Sequence, residues 1–128
     1  YENTDPGRRR VPESIIRNYI QSVSKLTESF ICSASISGKT CAAVFFLYHN
    51  KRIYYLIPVS SKLGKEKLAM FTIIDQTIRR YTGSSEIIDF AGSNIPGIAR
   101  FFGGFGAFNQ PYPSVHINRF PFPLNKLK

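Results

Sequence analysis

Cysteine and histidine are scarce in this chain of 128 residues: Cys32 and Cys41, His49 and His116 are all it has. None of them falls at metal-ligand spacing, so no metal centre is expected. A disulfide is not expected either. A two-residue hairpin turn containing Gly38 pairs Cys41 with position 34 or 36 and leaves Cys32 out of register. Free thiols suit a reducing, cytoplasmic setting. Long apolar runs are missing too: the longest, over 41–48, reads as a strand and falls far short of the ~20 residues of a membrane helix. No secretory leader is expected. Methionine occurs once, as Met70, and the chain starts at Tyr1, so a longer parent polypeptide is expected. No repeat or low-complexity segment is present.

Acidic residues are few as well, 8 against 17 lysines and arginines, for a net charge of +9. Such an excess favours an anionic partner, whether a phosphorylated cofactor, a nucleic acid or an acidic surface. Part of it sits near the ends, in Arg8-Arg9-Arg10 and in Lys126 and Lys128, and reads as solvated charge.

What the chain does have is enough apolar material, 43%, for a proper core. The pattern predicts an extended basic lead-in over 1–12 and one domain over 13–128. A helix is predicted over 12–26, with Ile15, Ile16, Tyr19, Ile20 and Val23 on one face. Three β-branched and aromatic runs, 30–36, 40–48 and 53–59, predict an antiparallel meander broken at Ser37-Gly38-Lys39 and His49-Asn50-Lys51. A helix is predicted over 64–81, with Phe71, Ile74, Ile78 and Tyr81 on its apolar face and Gly83 as its stop. A strand over 86–90, a short helix over 96–102 and a last strand over 114–118 complete the order.

The densest signal is Asp89-Phe90-Ala91-Gly92-Ser93, followed by Ile95-Pro96-Gly97-Ile98-Ala99-Arg100-Phe101-Phe102-Gly103-Gly104-Phe105-Gly106-Ala107. Ile87, Ile88 and Phe90 read as a buried strand, the small residues turn the backbone, and Pro96 suits a first helical turn. The strand end then faces a helix start, a common docking point for ligands in α/β sheets. Ser93 or Asn94 is expected to cap that helix. Four phenylalanines, three glycines and Arg100 over 100–108 are superficially like an RNA-binding sheet, but those aromatics fall on a helix and its exit, where packing against the sheet is the default.

With those residues and that order, the chain resembles the GCN5-related N-acetyltransferase (GNAT) superfamily over residues 28–120, and the 89–107 stretch is similar to the carboxyl-terminal domain of its Fem-like branch of acyl and aminoacyl transferases. The resemblance implies an α/β (α+β) fold with a mixed, mostly antiparallel sheet and helices on both faces. It implies that the strand before the long helix is splayed from its neighbour and binds the pantetheine arm of acetyl-CoA or another acyl-CoA. Ile57 and Val59 are then cofactor contacts, and Pro58 fits a splay, a bulge or simply an edge. By position, Ser60-Ser61-Lys62-Leu63-Gly64-Lys65-Glu66-Lys67 is the pyrophosphate loop, with Lys62, Gly64, Lys65 and Lys67 as binding residues. Glu66 departs from the family pattern, which has a second small residue there, and sets a carboxylate where phosphate is to lie.

The same resemblance implies a tyrosine acid on the late helix, but Phe102 stands at that position, and Ala91 stands where Fem-like relatives often have an acid. Asp89 remains as a base if burial raises its pKa, with Tyr112 and His116 as substitutes. Ser93, Asn94 and Arg100 are expected on the acceptor side. The function implied is acyl transfer from acyl-CoA to a small-molecule amine. The alternatives are a Fem-like half-domain using aminoacyl-tRNA, completed by an amino-terminal half or a second copy of the chain, and a non-catalytic binding module on the same scaffold.

Overall fold

The computed structural model describes residues 11–91 and 95–113. In chain order these form α1 (Glu13–Val23), β1 (Glu28–Ile36), β2 (Lys39–His49), β3 (Arg52–Ser60), α2 (Lys62–Glu66), α3 (Ala69–Tyr81), β4 (Ile87–Asp89) and α4 (Pro96–Gly103). The strands make one mixed α/β sheet in the order β1-β2-β3-β4. The first three pair antiparallel, and β4 joins β3 in parallel. A parallel neighbour requires a crossover, which α2 and α3 supply. The strand predicted over 114–118 lies outside the described residues.

Two tight turns set the register of the meander. Ile36 lies opposite Lys39, and His49 opposite Arg52. The residues left between them, Ser37 and Gly38, then Asn50 and Lys51, all have positive φ, between 49° and 76°. Positive φ at both central positions is the type I′ geometry, whose twist matches that of the flanking strands. Cys41 pairs with neither position 34 nor position 36, the two partners expected. Ala34 faces Ala42 and Ser35 faces Thr40, so Cys41 is the extra residue of a β-bulge, and its thiol donates to the Ala34 carbonyl at 3.3 Å. Cys32 faces Val44, and both thiols are free.

The core lies on one sheet face. Val44 and Phe46 from β2, Ile53 and Tyr55 from β3, and Ala69, Ile73 and Ile74 from α3 bury there together with Phe102 of α4. Burying each large apolar side chain contributes ~1.5–3 kcal/mol, so this face carries most of the stability. Phe30 stacks on Phe46 at 5.1 Å, which draws β1 into the same layer. Phe45, pointing the other way, is also buried.

Three expectations are corrected. The helix predicted over 64–81 is two helices, α2 and α3, because Leu68 takes a left-handed conformation (φ 53°) and breaks the run. The inward face of α3 is consequently Ala69, Ile73, Ile74 and Thr77, while Phe71 is half exposed and leans on Phe105, 4.6 Å away. Second, β4 is shorter than predicted, and Ile87 points outward, so only Ile88 and Phe90 from this stretch reach the core. Third, the amino-terminal helix ends at Val23 and has no fully buried residue; Ile15 and Tyr19 are exposed, and Ile16, Ile20 and Val23 are half-buried.

A close approach fixes where α2 sits. A Cβ on Gly64 would collide with the Cys41 carbonyl oxygen and lie 2.7 Å from Ser60 Oγ, whereas one on Gly97 would meet nothing within 4 Å. Gly64→Ala is expected to destabilise the domain by about 1–3 kcal/mol. Gly97→Ala, in a helix with open space, should be neutral or stabilise by up to about 1 kcal/mol. Urea midpoints of the two variants test the contrast.

Candidate functional site

Residue pairing between β3 and β4 is brief: Arg52 faces Ile87, Ile53 faces Ile88, Tyr54 faces Asp89, and there it stops. Beyond Tyr54, β3 continues to Ser60 with β2 on one side and, among the described residues, no strand on the other. A wedge therefore opens between the two parallel strands at their carboxyl ends. Asp89 fixes its apex. One carboxylate oxygen accepts from Arg52 at 3.1 Å, the other from the backbone N–H of Ala91 at 3.0 Å. The second bond closes an Asx turn that carries the chain away from the sheet, through Ala91 at φ 38°.

Two features of β3 border the wedge. Phe45 faces Ile57 and Phe46 faces Tyr55, so Leu56 is the extra residue of a second bulge, one position past Tyr55. A bulged residue sits outside the regular ladder. Pro58 is exposed and lacks an N–H, which a free edge tolerates. On the core side the apex is closed by aromatic rings. Phe90 stacks on Phe102 at 4.3 Å, and Tyr55 meets their edges at 6.0 and 5.5 Å.

At the far end of β3 the chain turns into α2. Ser61 caps that helix: its hydroxyl oxygen accepts from the Gly64 N–H at 3.1 Å and its own hydrogen goes to the Cys41 carbonyl. The Gly64 amide is therefore spent inside the protein. Lys62, Lys65, Glu66 and Lys67 are exposed. A shallow cavity of about 190 Å³ lies at this junction, lined by Cys41, Ala43, Val59, Ser60 and Ser61 among others.

The sequence-predicted site residues divide accordingly. Ile57 and Val59 are half-buried on β3 beyond the parting, and Lys62, Gly64, Lys65 and Lys67 follow directly. Asp89 stands at the apex, but with both oxygens engaged. Arg100 is exposed on α4, and Tyr112 is 75% exposed and itself in no helix or strand. Ser93, Asn94 and His116 lie outside the described residues. Ile95, with no side-chain cap bond, occupies the N-cap of α4 in place of the cap expected from Ser93 or Asn94. Three residues were missed by sequence reasoning: Arg52, Tyr55 and Leu56. The adjacent apolar pair Leu56-Ile57 breaks the alternation of β3 and was the available signal for a bulge. Among the described residues no cluster of three or more metal-ligating side chains occurs, and no helix is long and apolar enough to cross a membrane.

Two solved structures share this arrangement of helices and strands. One is a putative acetyltransferase from Agrobacterium tumefaciens (TM-score 0.57, 14% identity, 90% of this chain and 85% of that one). The other is the aminoglycoside 6'-N-acetyltransferase AAC(6')-IG from Acinetobacter haemolyticus in its apo form (TM-score 0.56, 10% identity, 88% and 85%). At these identities the likeness is one of fold, shared with these two acetyltransferases. No family model and no curated protein sequence matches the chain. The wedge thus belongs to a sheet of that shared fold, and the expected GNAT-like α/β fold class holds.

Burial of Tyr55 pushes its hydroxyl up to about 12. An ordinary tyrosine titrates near ~10, so the folded state holds this proton more tightly than the unfolded chain does. The resulting stabilisation is complete below about pH 10 and is lost as pH rises toward about 12. Urea unfolding at pH 9 and pH 11.5 should show a larger alkaline loss for the native chain than for Tyr55→Phe. Equal losses would contradict the assignment.

Proposed function

We propose that the chain is an acyltransferase domain that moves an acyl group, acetyl in the simplest case, from acyl-CoA to an amine. The observation that carries this reading is the parting of β3 from β4 beside the Leu56 bulge. An extended arm bearing amide groups can add to a free strand edge as a short strand would. The residues present suit such a ligand: a backbone edge from Leu56 to Ser60 beside which no described strand lies, for the arm, then Lys62, Lys65 and Lys67 for its phosphates. Glu66 opposes that charge only in part.

Acyl-CoA supplies the acyl group already activated as a thioester. In this reading Ile57 and Val59 flank the arm and shield it from water. The backbone of Leu56, outside the ladder, is available to the acyl carbonyl oxygen, where negative charge gathers as the amine adds. The amine nitrogen forms the new C–N bond, the C–S bond breaks with its electron pair on sulfur, and the amine releases a proton to solvent. Asp89 is tied to Arg52 and Ala91, so its part is to hold the apex rather than to take that proton. Arg100, with Ser93 and Asn94, belongs to the acceptor side.

One observation favours a second reading. The Gly64 amide is consumed by the Ser61 cap, which leaves fewer backbone donors for a pyrophosphate, while the net charge of +9 suits a polyanion. A Fem-like aminoacyl transferase that takes its donor from tRNA, working with an amino-terminal half or a second copy, would have both properties.

Calorimetric titration with acetyl-CoA tests the first reading. Micromolar binding is expected, weakened roughly tenfold or more in Lys62→Ala/Lys67→Ala, which removes two phosphate-facing charges. Absence of heat with acetyl-CoA, alongside salt-sensitive binding of tRNA, would replace it with the second.

A further inference from the structure

The apolar face of α1 is wider than the part that the described domain covers. With ~3.6 residues per turn, Ile16, Ile20 and Val23 form one row along the helix, and Ile15 and Tyr19 form a second about 100° round its axis. The first row is half-buried. The second is open: Ile15 is 56% and Tyr19 44% exposed, and no residue of α1 is fully buried. Exposed apolar residues also stand at both ends of the helix, Val11 at 53% just before it and Leu26 at 84% just after. Single exposed apolar side chains are ordinary, but four of them along one helix and its flanks mark a contact surface.

The charges along this stretch indicate the partner. Arg10 directly precedes Val11 and Lys25 directly precedes Leu26, so each end of the stripe has a cation next to an apolar residue in the chain. Residues 8–26 hold five lysines and arginines against one carboxylate, which is four of the nine net positive charges of the whole chain. That carboxylate, Glu13, lies on the far side of α1 from Ile15 and Tyr19 and is paired with Arg17 at 2.6 Å. A second copy of the chain is a poor occupant, because an isologous contact sets these cations against themselves. A convex helix ridge that joins apolar side chains to flanking cations matches an anionic bilayer, where the apolar groups enter the acyl boundary and the cations stay among the headgroups. We infer that α1 is a membrane-contact element: it lays the domain on a bilayer bearing anionic lipids, with Ile15, Tyr19 and Leu26 inserted and Lys25 and the arginines of 8–10 supplying the attraction. This is contact with a surface and not a span, since no described helix is long and apolar enough to cross a membrane. It does not depend on the identity of the acyl donor.

The chain has no tryptophan, so Tyr19→Trp places a single emission reporter in the stripe, and Gln21→Trp, on an exposed position about 200° round the helix, places one on the opposite side. The probe is a vesicle of phosphatidylcholine with about 30% phosphatidylserine. Emission of the Tyr19→Trp chain should shift to the blue on these vesicles and be quenched by brominated acyl chains, while that of the Gln21→Trp chain changes little. Partitioning should fall roughly tenfold or more on vesicles of phosphatidylcholine alone. Adding Ile15→Gln, which keeps a good helix former at an exposed position, should weaken it by a similar factor, roughly tenfold. Co-sedimentation of the native chain with the same vesicles checks the contact without any substitution. Native chain left in the supernatant, an unshifted Tyr19→Trp emission with anionic lipid in large excess, or equal shifts in the two reporters would overturn the assignment. So would a blue shift that appears without vesicles and grows with protein concentration, which would give the stripe to a second copy of the chain.

Discussion

The structure turns on the point where β3 and β4 stop pairing. Two parallel strands held over three residue pairs and then released leave, among the described residues, an edge of β3 with no strand beside it, a condition most proteins avoid by pairing, covering or shortening the edge. Here the release is enforced locally. The Asp89 carboxylate, in the last pair, reaches back to Arg52 of the first and, through the Ala91 amide, turns the chain out of the sheet plane. Exposed ion pairs add little stability, and this one is about a third exposed, so its importance lies in direction more than in energy.

Other elements answer to that opening. The two type I′ turns hold the meander in the register that puts Val44, Phe46, Ile53 and Tyr55 on one face. The Gly64 contact with Cys41 brings α2 down onto the start of β2, which sets the basic loop at the end of the free edge. α4 returns to the apex and packs Phe102 against both Tyr55 and Phe90, which also touch each other. The aromatic cluster thereby closes the apex on the core side.

The layout of strands was legible because β-branched and aromatic runs alternate clearly and are punctuated by Gly38 and Asn50, residues suited to positive φ. The order of elements was enough to point to the GNAT fold. What escaped were features that depend on contacts distant in sequence. Leu68 reads as a helical residue, yet packing of Gly64 on β2 and of Ala69 in the core bends the chain between them. Asp89 read as a free carboxylate because nothing in its own segment announces Arg52, 37 residues earlier. Tyr55 was hidden in the middle of a strand run, where one aromatic looks like another until its neighbours turn out to be phenylalanines. Phe71 shows the reverse case: the break at Leu68 rotates it from the expected core face to a half-exposed contact with Phe105.

The central claim is that the free edge of β3 is where the ligand lies. Amide hydrogen exchange, resolved by residue and compared with and without saturating acetyl-CoA, measures it most directly. The account predicts that slowing concentrates at the non-proline amides over 56–60 and at the start of α2, with the amides of β1 unchanged. Unaltered exchange along that edge in a chain saturated with acetyl-CoA, or slowing confined to another part of the sheet, would contradict it.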